Sequence, residues 1–228
     1  MKAIVLRHHD EDNPGLIGLE LERRGFTLTI HRMPDDGPPP NPRDYDLCIV
    51  LGAKWSLVDR VGIETWIDQE LDWLRTADAA GVPVLGICFG SQALAVAHGG
   101  RVTRAPKMEL GWTDIVSNEP GISEGPWFQF HSDQCIIPDG ATKLARNQVC
   151  VQAFSLRKNL AVQFHPELER LQLEQWLDEE SVAIVRDFGL ETEQLLSETD
   201  DRLDAAIDNV RVFVDFALGV AGLAATAT

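Results

Sequence analysis

Apolar runs of strand length alternate with segments of helical period along the first part of the chain. The strands predicted by these runs cover residues 3–6, 26–31, 47–51 and 82–87. The helices predicted between and after them cover residues 14–24, 64–80 and 91–97. Alternation of this kind is typical of βαβ units, and the run at 47–51 is apolar throughout. The pattern therefore predicts a mostly parallel sheet whose central strands are buried.

The pattern changes in the second half of the chain. Between residues 102 and 163, short apolar segments are separated by Pro and Gly, which predicts short strands in a mixed-sheet region. Beyond Pro166 the period is helical. The predicted helices cover residues 168–178, 182–187 and 192 to about 218. With no internal repeat or flexible linker in the sequence, residues 1–228 are expected to form one domain with a helical C-terminal extension from about residue 168.

Charge and apolar length exclude several classes of partner. The chain has 20 Lys and Arg against 36 Asp and Glu, a net charge of -16 that repels a phosphate backbone, so no nucleic acid partner is expected. The apolar N-terminal run is too short for a signal peptide, and the apolar C-terminal segment is too short to span a membrane. We therefore expect a cytoplasmic protein with no membrane association. The four cysteines form no Cys-x-x-Cys pair, and no metal or cofactor is predicted.

A cysteine follows the strand predicted at 82–87. Residues 86–92 are Gly-Ile-Cys-Phe-Gly-Ser-Gln, a Gly-x-Cys-x-Gly turn between a strand and a helix. A nucleophile at such a turn has a strained backbone, and the flanking glycines let neighbouring chain approach without a Cβ clash. The helix N-terminus favours a thiolate, which makes Cys88 a candidate nucleophile. A buried structural cysteine is an equally good interpretation of this motif alone.

A histidine and a carboxylate stand where such a thiol would need them. His165 ends an apolar strand and is followed by Pro166 and Glu167. Because residues i and i+2 of an extended chain point to the same side, and proline favours extension in its predecessor, Glu167 can orient the His165 ring. A thiol, a base and an orienting carboxylate together make a catalytic triad. His8 and His9, after the first strand, lack a partner cluster and are interpreted as a polar loop.

The two motifs at 86–92 and 163–167 together resemble the signature of class I, triad-type glutamine amidotransferases. The resemblance is strongest to the stand-alone branch related to the glutaminase domain of GMP synthase. Further similar stretches lie at residues 50–56, 109–112 and 130–133. The resemblance implies a flavodoxin-like, doubly wound α/β fold with a mostly parallel sheet and flanking helices. It places the site at the carboxyl ends of the strands.

The resemblance also implies roles for individual residues. It makes Cys88 the nucleophile, His165 the general base and then acid, and Glu167 the orienting residue. Attack on a γ-glutamyl amide gives a thioester and releases ammonia or an amine, and water then frees glutamate. The implied oxyanion donors are the N–H of Phe89 and one N–H from Gly52 or Ala53. The implied substrate contacts are Gln92, His131, Ser132 and Asp133.

Several residues depart from the family pattern. The family loop is usually Gly-Gly-Pro, but this chain has Gly52, Ala53 and Lys54. An alanine keeps the N–H in place only if the local φ suits a Cβ, so the departure bears on the oxyanion hole. Lys54 and Trp55 are large for a pocket mouth and would change which substrates enter.

Three functions remain open from the sequence. The first is a glutamine amidotransferase that hydrolyses glutamine and passes ammonia to an unidentified acceptor or a separate synthetase subunit. The second is a stand-alone hydrolase of another γ-glutamyl amide or peptide. The third is a non-catalytic binding module, which an intact Cys88, His165 and Glu167 disfavour. The apolar positions of 203–218 suit either core packing or a homodimer face, and the sequence favours core packing.

Overall fold

Ten strands and six α-helices form the framework of residues 1–223, the part of the chain described by a computed structural model. The strands are β1 (Lys2–Arg7), β2 (Thr27–Arg32), β3 (Leu47–Val50), β4 (Val84–Ile87), β5 (Arg101–Thr113), β6 (Val116–Ser117), β7 (Trp127–Ile136), β8 (Thr142–Arg146), β9 (Val151–Leu156) and β10 (Asn159–Val162). The helices are α1 (Gly15–Arg23), α2 (Ile67–Ala79), α3 (Phe89–Ala97), α4 (Arg170–Trp176), α5 (Glu179–Asp187) and α6 (Thr192–Ala221). The predicted alternation of strands and helices in the first half is confirmed.

Eight of the strands form one mixed sheet in the order β2-β1-β3-β4-β10-β9-β8-β6. The first five strands in that order pair in parallel, and β9, β8 and β6 extend the sheet antiparallel. The predicted doubly wound, mostly parallel sheet with flanking helices is therefore confirmed. The carboxyl ends of β1, β3, β4 and β10 lie side by side, so the residues that follow these strands meet at one edge of the sheet.

Helices cover both faces of this sheet because side chains alternate along each strand. Ala3 and Val5 of β1 face a core shared with α1 and α6, whereas Ile4 and Leu6 face a core shared with α2 and α3. In α6, Val210, Phe213, Val214 and Leu218 are buried in the first of these cores. The interpretation of 203–218 as core packing is therefore confirmed for these positions.

The region after α3 differs from the prediction of short strands. β5 and β7 contain 13 and 10 residues and pair with each other in a separate two-stranded sheet. Pro106, one of the prolines within residues 102–163, lies where the register shifts between Arg104 and Glu109. A bulge can accommodate a residue that lacks an N–H, so the strand continues through it.

The C-terminal helices add a third apolar cluster beside β5 and β7. It contains Leu110, Phe128, Leu168, Leu173, Trp176, Val185 and Leu195. This cluster holds α4 and α5 over one end of the main sheet. α4, α5 and α6 lie in the region from about residue 168 for which helices were predicted. The prediction of one domain over 1–228 includes residues 224–228, which lie outside the described residues. Among residues 1–223, none of the helices is both long and apolar enough to cross a membrane.

Packing of α3 against β3 gives a test of the fold. A Cβ added at Gly90 would lie 2.1 Å from the carbonyl oxygen of Val50, whereas Gly219 in α6 has open space around it. We expect Gly90→Ala to lower the free energy of unfolding by about 3 kcal/mol or more, because backbone must move. Gly219→Ala should raise it by about 0.5–1 kcal/mol through helix propensity. Urea unfolding measures both, and a G90A variant as stable as wild type would contradict this packing.

Candidate active site

Cys88 occupies the sharp turn between β4 and α3. Its backbone has φ 50° and ψ -106°, a conformation that costs a non-glycine residue energy. Its N–H donates to the carbonyl of Val162 at 2.8 Å, which fixes the turn to β10. A Cβ at Gly86 would lie 2.6 Å from the carbonyl oxygen of Gly90. The turn therefore requires both glycines of the Gly-x-Cys-x-Gly motif, and the strain presents the thiol at the N-terminus of α3.

His165 and Glu167 lie beside this turn as the sequence predicts. His165 Nδ1 is 2.8 Å from Glu167 Oε1, and both side chains are buried. Among the described residues, His165 Nε2 has no hydrogen-bond partner, so this nitrogen remains for the thiol. A Cβ added to Gly52 would lie 3.0 Å from His165 Cε1 and 3.6 Å from Cys88 Cβ. The loop, the ring and the nucleophile thus meet at one point.

The charges around His165 favour an imidazolium. Burial alone would lower its pKa, but the carboxylate of Glu167 and the thiolate of Cys88 outweigh burial and raise the pKa to about 10. At neutral pH the ring therefore carries a proton on each nitrogen.

Two residues that line the cavity with Cys88 have backbone N–H groups without an acceptor among the described residues. Phe89 is the first residue of α3, so its N–H has no acceptor within the helix. Neither this N–H nor that of Ala53 donates to another group within residues 1–223. Ala53 is outside the left-handed region of φ, so its Cβ brings no backbone strain. The replacement of the usual glycine by Ala53 is therefore compatible with an N–H directed at the site.

A cavity of about 210 Å³ opens next to Cys88. It is lined by all but one of the residues that the sequence suggests for the site, namely Gly52, Ala53, Cys88, Phe89, Gln92, His131, Ser132, Asp133 and His165. The exception is Glu167, which is buried behind His165, as an orienting residue should be.

Several of the lining side chains are already engaged with the protein. Gln92 Nε2 donates to Gln163 Oε1 at 3.1 Å, and His131 Nδ1 donates to the carbonyl of Asp133 at 2.9 Å. Gln163 Nε2 lies 3.5 Å from Cys88 Sγ, a contact to the nucleophile that sequence reasoning missed. Its signal was available, because Gln163 precedes His165 by two residues in an extended chain.

The C-terminal helices cover the base. The ring of Trp176, at the end of α4, lies 4.9 Å from the ring of His165, and its Nε1 donates to Asp12 Oδ1 at 3.1 Å. Lys54 Nζ donates to Asp178 Oδ2 at 2.5 Å, which draws this long side chain to the helices. Sequence reasoning did not identify Trp176, since nothing in the local pattern indicates which helix packs over the site.

A buried group of potential metal ligands lies under the cavity wall. Glu109, His131 and Cys150 bring one ligand atom each to within 4.8 Å of one another. These atoms already bond to protein: Glu109 accepts from Asn147 at 2.5 Å and from Gln152 at 2.9 Å. Burial and the Glu109 carboxylate raise the pKa of the Cys150 thiol, which keeps it protonated. The group is therefore better explained as a hydrogen-bonded network than as a metal site.

Comparison with known proteins gives matches both in sequence and in structure. A sequence model of the family described as glutamine amidotransferase class-I matches residues 18–179. The glutamine-hydrolyzing GMP synthase subunit from Thermoplasma acidophilum is 38% identical over 120 residues, which cover 46% of this chain and 60% of that protein. The glutamine amidotransferase-like protein YfeJ of Salmonella typhimurium is 26% identical over 184 residues, or 74% of this chain and 76% of that protein.

Two further matches differ in extent. The GMP synthase of Vibrio vulnificus is 36% identical over 100 residues, which span only 19% of its length. The crystal structure of a glutamine amidotransferase from Thermotoga maritima has a TM-score of 0.85 at 21% identity and covers 96% of this chain and 98% of that one. At this identity the structural match establishes the fold.

The raised pKa of His165 can be tested directly. Because the Glu167 carboxylate stabilises the charged ring, we expect Glu167→Gln to lower the His165 pKa by more than about one unit. NMR titration of the ring measures this shift. Glu174→Gln, which alters an exposed carboxylate paired with Arg170, is the matched control and should leave the His165 pKa unchanged. An unchanged pKa in E167Q would contradict the assignment.

The same ion pair should make stability depend on pH. The folded-state pKa of His165 is above its unfolded value of about 6.5, so the pair stabilises fully below that pH and is lost as pH rises through about 10. The difference in unfolding free energy between wild type and E167Q should therefore be largest near pH 6 to 7 and shrink toward pH 10. Urea unfolding at several pH values measures it, and a difference that grows with pH would be the wrong sign.

Proposed function

This chain belongs to the class I glutamine amidotransferase family, and we propose that it hydrolyses the side-chain amide of glutamine through a γ-glutamyl thioester on Cys88. The observation that carries the proposal is the joint geometry of three residues. Cys88 lies on a strained turn at a helix N-terminus, and His165 lies beside it with its Nδ1 bonded to Glu167 at 2.8 Å. This is the arrangement of a nucleophile, a base and an orienting carboxylate.

The first step forms the thioester. The Cys88 thiolate attacks the amide carbon, and the electrons of the carbonyl move onto its oxygen. The N–H groups of Ala53 and Phe89 would stabilise this oxyanion. As the tetrahedral intermediate collapses, the Nε2 proton of His165 passes to the amide nitrogen, the C–N bond breaks and ammonia leaves.

The second step regenerates the enzyme. Neutral His165 takes a proton from water, and the oxygen of that water attacks the thioester carbon. A second oxyanion forms in the same place, then collapses with cleavage of the C–S bond. Glutamate leaves, and Cys88 and His165 return as the thiolate and the imidazolium. Glu167 stays bonded to Nδ1 of His165 and stabilises the ring whenever the ring is charged.

The fate of the ammonia is a further part of the proposal. One matched relative is named as one of the subunits of GMP synthase, and by analogy the ammonia released here would pass to a separate synthetase subunit or another acceptor. The free thiols of all four cysteines suit a reducing compartment, so we place this activity in the cytoplasm. No cofactor is needed for any step above.

A second candidate function is hydrolysis of a γ-glutamyl peptide or substituted amide. The observation that favours it is the extent of the cavity. Beyond Cys88 and His165 the cavity continues to α5, where Glu180, Ser181 and Ile184 line it. A substituent on the reacting nitrogen would find space there, which a substrate as small as glutamine does not require.

Loss of the nucleophile tests the mechanism. We expect Cys88→Ala to abolish ammonia release, because no other group can form the thioester, while leaving the fold intact. Cys48→Ala is the control, since this buried thiol lies in the core of β3 and its pKa is raised to about 12 by burial. Ammonia release by each purified variant from glutamine is measured. Turnover by C88A at the wild-type rate would refute the mechanism.

A substrate panel separates the two candidate functions. We expect ammonia release from glutamine to exceed, in kcat/KM, amine release from γ-glutamyl peptides and N-alkyl glutamines by at least about tenfold. A preference of that size for a substituted amide would instead assign the second function. The same panel should give no turnover with the C88A variant, which excludes a contaminating amidase.

A further inference from the structure

A second buried histidine lies behind the loop that faces Cys88. His8 follows β1 and is 3% exposed, although its sequence context suggested a polar loop. Its ring packs against Trp66 and Phe89, with centroid separations of 5.6 and 5.0 Å. Histidine buried this completely needs hydrogen-bond partners for both ring nitrogens.

Both ring nitrogens of His8 have an oxygen partner. Nδ1 lies 3.1 Å from the carbonyl oxygen of Gly52, and Nε2 lies 3.0 Å from Oε2 of Glu70, a buried residue of α2. A carbonyl oxygen can only accept, so Nδ1 carries a proton and donates it to Gly52, while Nε2 shares a proton with the carboxyl group of Glu70. The direction of its pKa agrees: burial lowers it, but the Glu70 carboxylate outweighs burial and raises it.

The hydrogen bond between His8 and the carbonyl of Gly52 fixes the whole Gly52–Ala53 peptide. The carbonyl of Gly52 and the N–H of Ala53 belong to one planar peptide, and in a trans peptide they point in opposite directions. Gly52 and Ala53 line the cavity beside Cys88, whereas His8 lies outside it. With the carbonyl held toward His8, the N–H of Ala53 is directed away from His8 and toward the cavity.

We propose that His8, held by Glu70, is a positioning residue that locks the Gly52–Ala53 peptide with the N–H of Ala53 directed at the oxyanion formed on Cys88. The proposal rests on the proposed function in one respect, that an oxyanion forms there. The bond between Nε2 and the carboxyl group of Glu70 polarises the ring, which strengthens the bond from Nδ1 to the Gly52 carbonyl. The latter bond also polarises the peptide, which makes the N–H at its other end a better donor.

Substitutions at position 8 separate positioning from packing. His8→Phe keeps an aromatic ring against Trp66 and Phe89 but removes the donor. His8→Asn loses the ring but can place its amide N–H where Nδ1 stands. Packing alone would make H8F the better of the two variants in both stability and activity. Positioning predicts that H8F is the more stable variant and H8N the more active one.

The main experiment measures kcat and KM for amide hydrolysis and the free energy of unfolding for each variant. We expect H8F to lower kcat by about 10- to 100-fold with KM changed less than about threefold, because the lost donor acts in the transition state. His31→Phe is the matched control: His31 is also buried and contacts a loop carbonyl, that of Gly37 at 3.1 Å, but lies away from the cavity. It should leave kcat unchanged.

Alkylation of Cys88 by iodoacetamide separates this proposal from the proposed function. Alkylation displaces iodide at a saturated carbon and forms no oxyanion, so H8F should react at the wild-type rate while its amide hydrolysis falls. Equal loss in both reactions would mean that His8 supports the thiolate, and it would overturn the proposal. Unchanged hydrolysis in H8F would overturn it as well.

Two further measurements keep the test decisive. If H8F does not fold, H8N is compared with H8L. The two side chains have a similar branched shape, but only asparagine can donate a hydrogen bond to the Gly52 carbonyl, so H8L should be the less active variant. If the wild-type protein hydrolyses none of the amides tested, the proposed function fails. The crystal structure of H8F or H8L then still shows whether His8 fixes the orientation of the Gly52–Ala53 peptide. A rotated Gly52–Ala53 peptide supports the proposal, and an unrotated one overturns it.

Discussion

The site depends on how closely backbone can approach the thiol of Cys88. A Cβ added at Gly86 would lie 2.6 Å from the carbonyl oxygen of Gly90, and one added at Gly90 would lie 2.1 Å from the carbonyl oxygen of Val50. A Cβ added at Gly52 would lie 3.0 Å from the ring of His165. Three strand ends therefore converge only because these positions lack side chains. The parallel sheet brings the strand ends together. Because the glycines have no side chains, the backbone can approach closely enough for the Cys88 thiol, the His165 ring and two N–H groups to act on one substrate group.

Two buried histidine–carboxylate pairs flank this point of closure. His165 with Glu167 lies on the side of β10, and His8 with Glu70 lies on the side of β1 and α2. Each pair joins a basic ring to an acidic side chain by a hydrogen bond, which is how titratable groups are tolerated in a buried site. In the proposed mechanism, the first pair moves protons and the second holds the loop that receives the developing negative charge. The two preorganised pairs thus lie on opposite sides of the reacting carbonyl.

The sequence was sufficient for the features that local pattern encodes. Apolar alternation predicts the parallel strands, Gly-x-Cys-x-Gly predicts the turn at Cys88, and the i, i+2 relation predicts the contact between His165 and Glu167. It was insufficient where partners are far apart in the chain. Neither Glu70 as a partner of His8 nor Trp176 as a cover for His165 follows from any local period. The long β5 was missed for a different reason: the bulge between Arg104 and Glu109 accommodates a proline that otherwise indicates a break.

The central claim is that Cys88 carries the acyl group, and the intermediate itself can be observed. The wild-type protein would be mixed with glutamine, quenched in acid within the first turnover, and digested for mass spectrometry. We expect a glutamyl adduct on the peptide that contains Cys88, present at early times and lost as glutamate appears. Glutamate formed at the same rate with no adduct on Cys88 at any time, or with an adduct on another cysteine, would contradict the claim.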